Sequence, residues 1–149
     1  MSVHALADIQ ATRAWIKSFT SELKRPCVVL LSGELGAGKT QFVRWFLEEL
    51  KAFGDIASPT FAIHHEYQSP GGAIDHVDLY RVQDDADLEA SGFWDLFRAS
   101  QGLVFVEWAD RLPDSAWPEN WNQIRIHLRK LAAEDSGREM EIQLLNAFR

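Results

Sequence analysis

Residues 33–40 have the types and spacing of a phosphate-binding loop. They read Gly33-Glu34-Leu35-Gly36-Ala37-Gly38-Lys39-Thr40 and fit the pattern G-x-x-x-x-G-K-[ST]. Glycine lets a backbone approach phosphate oxygens closely, and the free N–H groups that begin a following helix place partial positive charge there. Lys39 adds a full charge, expected at the β- and γ-phosphates of a nucleotide, and the Thr40 hydroxyl is expected to ligate Mg²⁺. The alternative is a glycine-rich turn that merely joins two elements.

The elements around this loop favour the phosphate-binding interpretation. Residues 27–31 form a short, unbroken apolar run, which is typical of a strand buried on both faces of a parallel sheet. After Gly33 the pattern changes period, and apolar residues recur at helical spacing from Phe42 to Leu50. The predicted order is therefore strand, glycine-rich turn and helix, which is the context that the motif requires.

Glu107 is the first acidic candidate for the same site. It closes a second unbroken apolar run, Leu103 to Val106, which predicts another buried parallel strand. Since ligands of open α/β sheets bind at the carboxyl ends of strands, Glu107 is expected opposite Thr40. There it would hold Mg²⁺ directly or through a water, or orient the attacking water. A solvated strand end is the alternative.

Asp78 is the second acidic candidate. If the segment His76-x-Asp78-x-Tyr80 is extended, its imidazole, carboxylate and phenol project from one face of a strand. An ordinary half-exposed strand face predicts the same pattern, so the residues alone leave both interpretations open.

The remaining pattern predicts an α/β fold in a single domain, residues 1–149. We expect a mainly parallel sheet flanked by helices, with an antiparallel hairpin at the C-terminal end around a turn near Ser136-Gly137. The other expected elements are a helix from Asp8 to Lys24 that Pro26 stops, a strand pair turning at Gly71-Gly72, and a short helix from Asp87 to Phe97 despite Gly92. Aromatic residues of that short helix, Phe93, Trp94 and Phe97, are expected in the core rather than on a docking face.

Composition excludes several classes of protein. The chain has 149 residues and a formal charge of −7, so no broad positive field exists to hold nucleic acid or an anionic membrane. No apolar stretch approaches the roughly 20 residues that span a bilayer, and a cytoplasmic protein is expected. The lone Cys27 can form neither an internal disulfide nor a zinc-binding cluster, and we expect it in the core.

The loop does not reveal the fate of the phosphate. An Asn-Lys-x-Asp motif that would read guanine does not occur, so guanine is disfavoured. A small-molecule kinase remains open, because Arg81, Arg98 and Arg111 are available for a closing lid. A nucleotide-gated adaptor, in which hydrolysis merely changes the shape offered to a partner, also remains open.

Four blocks of sequence resemble the TsaE family of bacterial tRNA threonylcarbamoyladenosine biosynthesis. They stand in the family's order and cover roughly Thr12 to Pro113: residues 31–40, Ser58-Pro59-Thr60-Phe61, His76-Val77-Asp78-Leu79-Tyr80-Arg81, and Glu107-Trp108-Ala109-Asp110-Arg111-Leu112-Pro113. Beyond these blocks, the C-terminal hairpin is similar to the family in pattern only.

The resemblance implies a compact P-loop ATPase that uses ATP and Mg²⁺. It would work with TsaB and TsaD, which place a threonylcarbamoyl group on the adenosine beside the anticodon of ANN-decoding tRNAs, and it would meet tRNA indirectly. Among the site residues, Lys39 and Thr40 would serve ATP and Mg²⁺, Glu107 would ligate Mg²⁺, and Asp78 would act in hydrolysis. Ser58 and Thr60 would belong to a switch loop near the γ-phosphate, and Thr12 would contact the nucleotide.

Overall fold

A computed structural model describes residues 2–59, 63–130 and 138–145. Over these ranges the helices and strands are, in chain order, β1 (Ser2–Leu6), α1 (Ile9–Thr20), β2 (Cys27–Ser32), α2 (Lys39–Glu49), β3 (Phe53–Pro59), β4 (Ile63–Ser69), β5 (Gly72–Asp78), α3 (Asp85–Ser91), β6 (Leu103–Glu107), β7 (Asn122–Lys130) and β8 (Arg138–Leu145). Three short 3₁₀ helices follow α3 and β6, at Phe93–Arg98, Ala109–Arg111 and Asp114–Ala116. No helix within the described ranges is long and apolar enough to cross a membrane.

The strands form one sheet in the order β1-β8-β7-β2-β6-β5-β4-β3. Its four central strands, β7, β2, β6 and β5, run parallel, and the flanking pairs on both sides are antiparallel. The α/β prediction is therefore confirmed, with the parallel part at the centre. The C-terminal hairpin, β7 with β8, is also confirmed, although its turn at Ser136-Gly137 lies outside the described residues.

Strand β1 is an element that the sequence pattern did not predict. It has five residues, too few for a clear alternation, and its place is set by antiparallel pairing with β8 at the far end of the chain. Pairing between segments so distant in sequence leaves no local signal.

Helices cover both faces of the sheet centre, as the unbroken apolar runs predict. Alternate residues of β2 divide between two clusters: Val29 and Leu31 pack with Phe42 and Phe46 of α2, and the even-numbered residues pack on the other side against α3 and the 3₁₀ segments. Cys27 is fully buried in the first cluster, as expected.

The prediction of one helix from Asp87 to Phe97 is wrong at Gly92. Helix α3 ends there, because Gly92 adopts the left-handed conformation (φ +81°) and its N–H donates to the last turn. A separate 3₁₀ helix follows and buries Phe93 and Phe97, which confirms the expected core role of these two aromatics.

The carboxyl ends of three parallel strands are level with one another. In the ladder, Leu31 of β2 and Asp78 of β5 both pair with Glu107 of β6. The backbone N–H of Leu79 extends this alignment by donating to the Glu107 carbonyl over 3.1 Å. The loop that follows β2 therefore begins beside the acidic ends of β5 and β6.

Candidate functional site

The loop from Gly33 to Gly38 lies between β2 and α2, as predicted. Gly33, Gly36 and Gly38 have φ values of +144°, +85° and +96°, which residues with a side chain rarely adopt. At Gly33 a Cβ atom would meet the Leu128 carbonyl oxygen of β7 at 2.5 Å, whereas at Gly36 it would meet nothing within 4 Å. The first glycine thus allows close packing on β7, and the second leaves the loop open on its outer side.

Helix α2 begins at this loop without a side-chain cap. Gly38 is its N-cap residue, and no side chain accepts a hydrogen bond from the first turn. The first N–H groups of a helix lack partners within the helix and carry partial positive charge. This end of α2 is therefore suited to bind an anion at the loop.

The Lys39 side chain is folded back onto the loop. Its Nζ donates to the carbonyls of Gly33 (2.7 Å) and Glu34 (2.9 Å), and it lies 4.0 Å from the ring centroid of Trp108. The backbone of Trp108 is left-handed (φ +58°) at this position. Lys39 is only 5% exposed. Burial lowers the pKa of Lys39, opposed by surrounding carboxylates, Glu107 foremost.

Glu107 joins α2 to the end of β6. Its Oε1 accepts a hydrogen bond from the Thr40 hydroxyl at 2.7 Å, and its Oε2 lies 2.5 Å from Nε2 of His76 on β5. The Glu107 side chain is almost completely buried, whereas both hydrogen bonds are only partly buried, and Thr40 is exposed at the loop. The predicted placement of Glu107 opposite Thr40 agrees with this geometry.

Asp78 lies at the end of β5, level with Glu107. Its Oδ1 accepts a hydrogen bond from the backbone N–H of Tyr80 at 2.9 Å. Burial raises the pKa of Asp78 above its ordinary value, Glu107 adds to that effect, and the Tyr80 N–H, His76 and Lys39 oppose it. A carboxylate with a raised pKa is a stronger proton acceptor than an exposed one.

The segment from His76 to Tyr80 is not extended throughout, so Tyr80 does not share the strand face of His76 and Asp78. Strand β5 ends at Asp78, and a turn follows in which Val82 donates to the Leu79 carbonyl. Tyr80 instead packs against Trp108 in a tilted arrangement, with ring centroids 4.9 Å apart, and Arg111 lies over both rings.

Two neighbouring cavities open at these residues. The first, about 330 Å³, lies along the loop and is lined by Gly36, Lys39, Trp108 and Tyr80 among others. The second, about 280 Å³, lies between α2 and β4 and includes Arg44, His65 and His76. Thr40, Asp78 and Glu107 line both cavities, so they form the shared wall.

The remaining expected site residues are Thr12 and the switch-loop residues Ser58 and Thr60. Thr12 is buried in α1, its hydroxyl donates to the Asp8 carbonyl at 3.0 Å, and it does not line either cavity. Its contact with a nucleotide stays a prediction. Thr60 lies outside the described residues, as does the rest of the expected switch loop after Ser58 and Pro59 at the end of β3.

Sequence reasoning did not assign site positions to His76, Trp108 or Arg44. The signal for His76 was present, since it shares a strand face with Asp78. Trp108 directly follows Glu107, but its left-handed backbone conformation could not be anticipated. Arg44 lies one helical turn after Thr40, a spacing at which side chains share a helix face.

These residues fit a nucleotide that arrives with Mg²⁺. Within the described ranges, no three or more histidine, cysteine, aspartate or glutamate side chains are grouped to hold a metal ion by themselves. Mg²⁺, however, commonly binds through one or two protein ligands together with substrate phosphates and waters. The Thr40–Glu107 pair, with Glu107 buried and Thr40 exposed beside an open, glycine-lined loop, meets that requirement.

Comparisons with known proteins agree with the sequence blocks. The family model described as "Threonylcarbamoyl adenosine biosynthesis protein TsaE" matches residues 6–140. A tRNA threonylcarbamoyladenosine biosynthesis protein TsaE of Synechocystis is 36% identical over 110 residues, which are 72% of this chain and 70% of the relative. The protein of that name from Bacillus subtilis is 36% identical over 126 residues, 85% of this chain and 75% of the relative.

A solved structure extends the similarity to the fold. The crystal structure of Bacillus subtilis YdiB superposes with a TM-score of 0.65 at 28% identity, and the match covers 97% of this chain and 85% of that chain. The family match spans the phosphate loop, both acidic strand ends and the first strand of the C-terminal hairpin. The chain therefore belongs to the TsaE family of threonylcarbamoyl adenosine biosynthesis proteins.

Proposed function

We propose that this chain binds ATP with Mg²⁺ and hydrolyses it as a component of the machinery that forms threonylcarbamoyladenosine in tRNA. The observation that carries the proposal is the 2.7 Å hydrogen bond between Thr40 and Glu107 at the phosphate loop. It joins a helix N-terminus to a strand end 67 positions later in the chain. A glycine-rich turn with a purely structural role would not require this pairing.

Each group at the site has a distinct role in this proposal. Loop amides and the start of α2 bind the phosphates, and Lys39 exchanges its loop carbonyls for phosphate oxygens. Thr40 and Glu107 would hold Mg²⁺, which when bound would neutralise charge on the phosphates. Since the Thr40 proton is engaged by Glu107, a lone pair of the Thr40 oxygen is free to face the metal.

Asp78 is the residue that we assign to the attacking water. It lines both cavities, so a water in the second cavity would be close to its carboxylate. The raised pKa of Asp78 makes it a better acceptor for the proton of that water.

The family relation supports the biological setting. Relatives carry names that place them in the biosynthesis of threonylcarbamoyladenosine in tRNA. We propose that this chain acts in the cytoplasm with TsaB and TsaD, on ANN-decoding tRNAs, at the adenosine beside the anticodon. The formal charge of −7 favours contact with tRNA through these partners rather than through a basic surface of its own.

Hydrolysis of γ-labelled ATP, with and without the two partner proteins, tests the proposal. We expect slow release of phosphate by the chain alone and a clear rise on addition of the partners. Thr40→Val should abolish both rates, because it keeps the side-chain shape but removes the hydroxyl. Thr20→Val is the matched control, since that hydroxyl donates to the Lys17 carbonyl at the exposed end of α1. A rate that does not rise with the partners would contradict the proposal.

The second cavity supports a second candidate function, that of a small-molecule kinase. Its volume of about 280 Å³ beside Asp78 is sufficient for a small phosphate acceptor. The same labelling experiment separates the two functions, since a kinase would place the label on a metabolite instead of releasing it as free phosphate. The adaptor alternative predicts that Glu107→Ala stops hydrolysis but still complements a strain that lacks the protein.

A further inference from the structure

We infer that His76 is a positioning residue that sets the Mg²⁺ affinity of the site through Glu107. The inference rests on the proposed function, because it takes the Thr40–Glu107 pair as the metal-binding pair. His76 lies on β5, Glu107 on β6 and Thr40 on α2, and the three side chains form one hydrogen-bonded series.

The donors and acceptors in this series have fixed directions. A Glu107 carboxylate has acceptors only, so His76 must donate from Nε2 to Oε2, over 2.5 Å. Thr40 donates to the other oxygen, Oε1, over 2.7 Å. Each carboxylate oxygen accepts one hydrogen bond and keeps a second lone pair for Mg²⁺ or for a water of its shell.

Removal of the His76 donor would leave one buried Glu107 oxygen without its partner. Glu107 is 2% exposed, and the carboxylate would then be free to rotate away from the loop. Hydrogen bonds from surrounding groups that orient a metal ligand typically change metal affinity or activity by 10–100-fold when they are removed. The phosphate-binding groups, Lys39 and the loop amides, do not contact His76 and should be unaffected.

The chain provides a matched control in His64. Its Nε2 lies 2.7 Å from Asp75 Oδ1, and its side chain is 11% exposed, the same as that of His76. The two histidines lie on adjacent strands, but they are not opposite each other in register: His76 pairs with His65, and His64 pairs with Val77. His64 therefore projects from the other face of the sheet, away from the loop.

Four variants separate positioning from stability: His76→Leu, His76→Gln, His76→Asn and His64→Leu. Gln carries an amide donor about as far from the backbone as Nε2, whereas the donor of Asn falls short of Glu107. His76→Gln and His76→Asn introduce the same amide group and differ only in how far it extends from the backbone. Their comparison therefore tests whether His76 positions Glu107 even if His76→Leu fails to fold.

The measurement is binding of a fluorescent ATP analogue, first in EDTA and then titrated with Mg²⁺. We expect His76→Leu and His76→Asn to raise the Mg²⁺ concentration for half-maximal effect by roughly 10–100-fold, with metal-free affinity within about twofold of wild type. His76→Gln should restore most of the loss, and His64→Leu should match wild type.

The outcomes distinguish this inference from the proposed function. Wild-type protein that binds the analogue without any response to Mg²⁺ would overturn both. A normal wild-type response together with an unchanged response of His76→Asn, or with equal losses in His76→Asn and His76→Gln, would overturn the role of His76 alone.

Discussion

Substitution of Gly33 by alanine should destabilise the protein much more than the same change at Gly36. At Gly33, φ is +144° and the added Cβ would lie 2.5 Å from the Leu128 carbonyl oxygen. Backbone strain of about 1–3 kcal/mol and overpacking of about 1–3 kcal/mol together give a loss of about 2–6 kcal/mol. At Gly36 the new methyl group meets nothing within 4 Å, so only the strain of a left-handed residue remains, about 1–2 kcal/mol.

Urea and thermal unfolding, followed by far-UV circular dichroism, measure this difference. For a chain of this size, 1 kcal/mol corresponds to a shift of about 2–4 °C in Tm, so Gly33→Ala should lower Tm by about 4–24 °C. Gly36→Ala should lower it by a few degrees and should weaken ATP binding, because that residue lines the first cavity. Equal losses of stability in the two variants would refute the argument from close packing on β7.

Three further predictions concern single side chains. Lys39→Ala should lower ATP affinity or turnover by orders of magnitude while circular dichroism stays native, and an unchanged ATPase rate would mean that the site is misassigned. Asp78→Asn should stop turnover yet raise Tm by a few degrees at neutral pH, since burial raises the pKa of Asp78 and its ionised form opposes folding. Protonated Asp78 contributes stability at low pH, and this contribution is lost as pH rises through the raised pKa. The Tm advantage of Asp78→Asn over wild type should therefore disappear below about pH 4, the ordinary aspartate range. Cys27, buried with its pKa raised to about 12, should not react with a thiol reagent at pH 8 until the protein unfolds in guanidinium.

The parallel centre of the fold was predictable because burial on both faces leaves a distinct trace. Strands β2 and β6 read as unbroken apolar runs, and both are almost completely covered. The described side chains of flanking strands such as β1 and β3 are mostly exposed, so their composition carries little information about partners elsewhere in the sheet. Their positions depend on pairing that only the folded chain specifies.

Site residues were predictable where they belong to a local motif or stand at the end of an apolar strand. Lys39, Thr40 and Glu107 are of this kind, and the structure brings the last two within hydrogen-bond distance. His76 and Trp108 acquire their contacts through the register of β5 on β6 and through one left-handed residue. Neither the register between two strands nor a single left-handed residue can be predicted from a short window of sequence.

The contact at Gly33 also limits which second mutations can rescue a change there. A side chain at position 33 would collide with a main-chain oxygen of β7, and every amino acid at position 128 carries that oxygen. Relief would require β7 to move as a unit, and β7 is hydrogen-bonded to β2 on one side and to β8 on the other. A genetic screen for suppressors of a larger residue at position 33 should therefore recover true revertants and no compensating substitution within that strand.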